Sequence, residues 1–204
     1  MTIPFDDRGF TLGDGLFETV LAEDGALAFW REHVERLKRG CTTLGLPLPD
    51  EGLLREQALA ALEEAGLGAG RAAVRLSWTA GRGGRGLDRP ETFAPLLVVQ
   101  AAPAPAPTHP ARLVTASVRR NAASPVSRLK TLAYLDQVLA RREALAAGGD
   151  EARDSENKAR PCSIRTQRRA SCPSGTGAFE NERGLHGQSL CNTRAKAARA
   201  ESRP

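Results

Sequence analysis

The stretch "SRLKTLAYLDQVLARREALAAGGDEA", residues 127–152, decides how this sequence is read. Leu132, Leu135, Val138, Leu139, Arg142 and Leu145 follow helical spacing, Thr131 is a candidate N-cap, and Gly148 and Gly149 stop the run. Lys130 stands directly before the predicted helix N-terminus. The partial positive charge of the helix dipole there disfavours an ammonium and favours a neutral, nucleophilic amine. The same residue, read without a motif around it, is an ordinary solvated lysine.

Upstream, strands and helices alternate. "LFETVLA" (16–22) reads as a strand, "EDG" (23–25) as a hairpin turn, and "ALAF" as its antiparallel partner. Trp30, Val34, Leu37, Cys41 and Leu44 form one stripe of a helix that Gly45 closes. A second helix starts at Asp50 as N-cap, carries Leu54, Ala58, Leu62 and Ala65 on one face, and ends at Gly66. "AAVRLSW" (72–78) alternates as a strand buried on one side, and "PLLVVQA" (95–101) is a continuous apolar run expected to form a central strand. The proline-dense segment that follows predicts a linker over 102–111, and "RLVTASV" (112–118) a further strand.

Composition breaks near residue 150. Residues 1–150 hold 18 Lys+Arg and 18 Asp+Glu, so the net charge of +5 belongs to the last 54 residues. Leu, Ile, Val and Phe supply 38 of the first 150 residues and only 4 of the remainder, too little apolar surface to offset the entropy of ordering it. A disordered basic tail is expected over 153–204. Cys162, Cys172, Cys191 and His186 lack the close pairing of tetrahedral zinc ligands, so no metal site is expected. The opening "MTIPFDDRGF" places charges where a secretory core needs an apolar run. No segment approaches the roughly 18 apolar residues of a membrane span, and a cytoplasmic protein without membrane contact is expected.

Gly81, Gly83 and Gly86 match G-x-G-x-x-G, but a dinucleotide fingerprint opens a helix and this loop runs into "LDRPE". The plain reading is a flexible hairpin; the sharper one is that Arg82 and Arg85 clamp substrate carboxylates. Arg36 lies at the edge of its helix stripe, where a guanidinium either solvates the helix or turns into a cleft to hold phosphate.

Three segments in order, "DRGFTLGDGLFET" (7–19), "WREHVERLKRGCTTLGLP" (30–47) and "RLKTLAYLDQVLARREALAAGGDEA" (128–152), resemble the class IV, fold-type IV pyridoxal-phosphate enzymes. Among these the sequence is most similar to the aminodeoxychorismate lyases, with branched-chain and D-amino-acid aminotransferases as relatives. The resemblance implies an α+β, two-domain α/β-type architecture: an N-terminal domain over 1–101, the linker, and the start of a cofactor-binding second domain over 112–152. It also implies that Lys130 bonds to the aldehyde of pyridoxal 5′-phosphate and then carries the proton, and that Arg36 holds the cofactor phosphate. Arg85 would face the substrate carboxylates and Phe17 line the pocket. The implied reaction converts 4-amino-4-deoxychorismate into 4-aminobenzoate and pyruvate, a folate-biosynthetic step, in a homodimer acting on a small molecule. Aminotransferases of the group read K-x-x-N-Y where this chain has "KTLAY", with Ala133 at the asparagine place.

The family pattern then stops. An apolar strand and an E-x-x-x-x-N-x-F segment, whose glutamate faces the pyridine nitrogen, are expected after "GGDEA" and do not follow; Glu180 in "FENERG" lacks that setting. The expectation is an incomplete second domain, a tail read out of frame, and impaired activity. Translation of the same DNA in its other frames beyond Ala152 tests this. In the alternative, "RTQRR" and "RAKAAR" form a basic arm for nucleic acid, which the scarcity of aromatic residues and the interspersed acids disfavour.

Overall fold

The computed structural model describes residues 2–156. They fall into two compact units: Met1–Ala106 with Leu129–Ala133, and Pro107–Arg128 with the chain from Tyr134 onward. The division differs from the expected domains at one decisive place. Leu129–Ala133, assigned by sequence to the second domain, packs with the first, because its backbone completes a sheet edge there.

The first unit is a four-stranded antiparallel sheet with one short and two long helices. A five-residue helix α1 (Arg8–Leu12) leads into β1 (Gly15–Glu23), which turns through Asp24 and Gly25 into the two-residue β2 (Ala26–Leu27). Both turn residues have positive φ, 49° and 77°, as a tight hairpin requires. Helices α2 (Trp30–Leu44) and α3 (Glu51–Glu64) follow, then β3 (Arg71–Thr79) and β4 (Leu96–Pro103). The strand order is β2-β1-β3-β4. "PLLVVQA" therefore forms an edge strand among the described residues, not a central one, and it runs to Pro103, inside the expected linker.

Sequence periodicity locates both long helices. Trp30, Val34, Leu37 and Cys41 of α2 are buried, and Gly45 ends the helix in the left-handed region at φ 66°. On α3 the buried face is Leu54, Ala58 and Leu62, packed with Leu16, Val20, Val74, Leu76 and Trp78 of the sheet. Ala65 is exposed instead, since it caps the helix. Burial pushes the Cys41 thiol up to about 11, so this cysteine serves packing and not chemistry. Asp50 caps α3 by accepting a 2.8 Å hydrogen bond from the Leu53 N–H. Asp50→Ala is expected to cost about 1 kcal/mol, read as a lower denaturation midpoint at unchanged slope.

The second unit, within the described residues, is a β-α-β element. β5 (Leu113–Arg120) pairs in parallel with β6 (Glu151–Glu156), and α4 (Leu135–Ala146) connects them. Two expectations need correction. Residues 132–134 are not helical: α4 begins at Leu135 with Tyr134 as an N-cap that makes no side-chain cap bond, and upstream of it a 3-10 turn covers Pro125–Arg128. Thr131 is no N-cap. The buried face of α4 is Ala140 and Ala144, while Leu135 and Val138 are 70% and 57% exposed. Small alanines let the helix approach its strands closely, and the leucine stripe points outward. Strand β6 also continues past residue 152, so the expected tail boundary falls inside a strand. The rest of that tail, with its cysteines, Glu180 and basic clusters, lies outside the described residues. Among the described residues no helix is long and apolar enough to cross a membrane, and no group of three metal-ligating side chains is assembled.

Candidate active site

Strand β1 builds the site from both of its faces and one edge. Because β2 pairs only with Ala22 and Glu23, the edge of β1 at Gly15–Phe17 has no strand partner from the hairpin. Lys130–Leu132 fills it: the Phe17 N–H donates to the Lys130 carbonyl at 2.9 Å, and the Leu132 N–H donates to the Gly15 carbonyl at 3.0 Å. Buried backbone groups are thereby satisfied, which fixes the origin of the Lys130 side chain. Backbone pairing, not a helix terminus, places this lysine.

The Lys130 ammonium lies 4.1 Å from the centre of the Phe17 ring. The Arg75 guanidinium, from β3, stands 3.7 Å from the same ring. Phe17 is almost fully buried and provides an aromatic platform under two cations. Burial brings the Lys130 pKa down to about 8; the negative charge of Glu18 opposes this, and the positive charges of Arg36 and Arg75 add to it. The expected easing of deprotonation is present, with desolvation as its main cause.

On the opposite face of β1, Glu18 points toward α2. Its carboxylate accepts from Arg36 Nε at 2.6 Å and from Arg36 Nη2, and lies 2.8 Å from His33 Nδ1. Burial favours the protonated acid, but the hydrogen bonds from Arg36 and His33 outweigh it and hold the carboxyl below its usual range. His33 and Arg36 are three positions apart on α2 and share a face, so one carboxylate reaches both.

Lys130 and Arg75 thus meet at Phe17 on one face of β1, His33 and Arg36 meet at Glu18 on the other, and the charges of Glu18 and Arg36 still act on Lys130. Arg85 is placed elsewhere, exposed on the loop after β3. Arg82 of that loop pairs with Asp6 at 2.8 Å. The loop itself is fastened, contrary to the expected flexible hairpin. Arg8, 4% exposed, donates to the carbonyls of Gly83, Gly86, Leu87 and Asp88 and to the Asp14 carboxylate. Arg89 also binds Asp14 and reaches the Leu44 carbonyl at the end of α2.

Glu18 carried a readable signal, a lone carboxylate inside the apolar run "LFETVLA". His33 at i−3 from Arg36 carried another. Nothing in the charged opening stretch distinguishes Arg8, whose role depends on a loop more than 70 residues away in sequence.

A pyridoxal-phosphate group matches the chemistry of this donor set at two of its ends: a part-buried amine of lowered basicity for the aldehyde and a guanidinium for the phosphate. Comparisons with known proteins agree. The chain is 33% identical over 98 residues to an aminodeoxychorismate lyase of Vibrio harveyi, covering 48% of this chain and 34% of that protein. It is 35% identical over 151 residues to a putative branched-chain-amino-acid aminotransferase of Methanocaldococcus jannaschii, covering 72% and 51%. The crystal structure of a putative 4-amino-4-deoxychorismate lyase from Legionella pneumophila superposes with a TM-score of 0.65 at 28% identity, covering 74% of this chain and 56% of that one. The chain spans between about a third and just over half of the length of these proteins. The fold is therefore that of the fold-type IV aminotransferases over the matched region. The profile of the amino-transferase class IV family matches residues 15–154, and the chain belongs to this family of pyridoxal-phosphate-dependent enzymes.

Proposed function

We propose that this chain carries the amine and phosphate ends of a pyridoxal-phosphate site for 4-amino-4-deoxychorismate lyase chemistry, releasing 4-aminobenzoate and pyruvate. The observation that carries the reading is a part-buried Lys130 of lowered basicity, in the same unit as Arg36 and within reach of its charge. Lys130 would hold the aldehyde carbon and Arg36 the phosphate. When bound, the cofactor supplies an electron sink. Lys130 Nζ, neutral in about half of molecules near pH 8, is the base that takes a proton from the substrate ring and later returns one. Phe17 supports the reacting plane, and the Arg75 cation beside it favours an anionic substrate. Arg85 remains the proposed contact for substrate carboxylates beyond these residues. A homodimer in the cytoplasm, acting on a small molecule, belongs to the same reading.

The double-arginine glycine loop and Ala133 in "KTLAY" favour the lyase, and the longer match to a branched-chain aminotransferase favours transfer of an amino group. Supplying 4-amino-4-deoxychorismate with no keto acid separates them. The expected result is pyruvate and 4-aminobenzoate in equal amounts, dependent on Lys130. Because the chain spans only part of its relatives, stoichiometry and not speed is the criterion. Conversion that requires an added keto acid would establish the aminotransferase instead.

A further inference from the structure

The Arg36 guanidinium has two hydrogen-bonding edges, and Glu18 uses only one. The Nε–H and one Nη2–H form a side-on, two-point pair with the Glu18 carboxylate. His33 Nδ1 must also carry a proton, because it meets a carboxylate oxygen at 2.8 Å and that oxygen can only accept. The 3.3 Å approach of Arg36 Nη2 to His33 Nδ1 is then two donors converging on Glu18, not a bond between them. This leaves the end-on edge, Nη1 and the second Nη2–H, without a protein acceptor among the described residues. It is the planar two-donor fork that suits a phosphate.

We propose that Glu18 is the positioning residue of the site, locking the side edge of Arg36 so that the end edge is presented to the phosphate of the bound cofactor. The proposal rests on the phosphate reading of Arg36 given above. A long, unrestrained arginine on a helix edge samples many rotamers, and ordering it on binding costs affinity. Glu18 removes that cost before the ligand arrives. Its own conformation is set by the β1 ladder, where Glu18 is paired with Leu76 of β3, and the side chain is 1% exposed. The carboxylate also neutralises Arg36 locally, so orientation and not net charge is what it contributes.

The test compares pyridoxal 5′-phosphate with pyridoxal, which has the same aldehyde and no phosphate. Each is reacted with the full chain, trapped with borohydride, and the adduct at Lys130 measured by mass spectrometry; the chain has only four lysines, Lys38, Lys130, Lys158 and Lys196. The parent chain is expected to favour the phosphorylated aldehyde at Lys130, and Glu18→Gln to reduce that preference about tenfold, read as the ratio of the two labels, because the lost Glu18 charge shifts the Lys130 amine equally for both aldehydes and cancels in the ratio. An equal loss for both aldehydes marks a merely structural residue and overturns the proposal, as does an unaltered preference. No preference in the parent chain removes the phosphate reading itself, a different failure from a preference that survives Glu18→Gln. A measurement needing no variant guards against misfolding. The Arg36 Nε–H should exchange with solvent far more slowly than that of exposed Arg55 in the unliganded chain, and equal rates refute the lock.

Discussion

Replacing Lys130 by alanine is expected to abolish the cofactor-dependent visible absorption of this chain and the borohydride-trapped adduct at that position. The size of the effect follows from proton affinity. With a pKa of about 8, half of Lys130 is neutral at pH 8. An ordinary lysine near 10.4 is neutral in well under one molecule in a hundred at that pH, so Lys130 holds roughly a hundredfold more reactive amine. Labelling of Lys130 should therefore reach half of its plateau near pH 8, whereas an ordinary lysine continues to gain up to about pH 10. The sign is fixed by burial: the folded environment disfavours the ammonium, so the amine appears at lower pH than in the unfolded chain. A visible band that persists after Lys130→Ala would remove this residue from the chemistry.

The second large effect concerns the loop after β3. Gly81 has φ +80°, and a β-carbon there would lie 1.8 Å from the Ala94 carbonyl oxygen. Gly81→Ala combines a left-handed conformation with backbone overlap, and should cost more than about 3 kcal/mol. Gly86, at φ +60° with open space around it, supplies the control. Gly86→Ala should cost only the conformational term, about 1–2 kcal/mol. Denaturation midpoints of the two variants read the difference. Equal values would mean that the segment yields freely, and that the Arg8 hydrogen bonds do not hold it in one shape.

These two sites differ in how far the sequence announces them. The G-x-G-x-x-G spacing marks a loop with unusual backbone, and the positive φ values of Gly81, Gly83 and Gly86 agree with that. Its fastening was illegible, because a buried arginine at position 8 meets carbonyls at positions 83–88 only after the chain has folded. Lys130 was legible as a position by family resemblance, but the local argument for its reactivity was not. Helical spacing from Leu132 onward suggested a dipole, whereas backbone pairing with β1 takes those residues out of the helix and burial lowers the basicity. Long-range hydrogen bonding outweighed local periodicity.

By itself the sequence determined where α2 and α3 run, the hairpin at Asp24 and Gly25, and the alternation of β3. In each of these, local propensity, caps and the period of apolar residues agree. Tertiary structure alone decided that "PLLVVQA" sits at an edge among the described residues, that alanines and not leucines form the inner face of α4, and that Arg75 joins Lys130 at Phe17 while His33 joins Arg36 at Glu18. Strand order and face selection depend on which partners a segment meets, and those partners are distant in the chain; no periodic pattern encodes them.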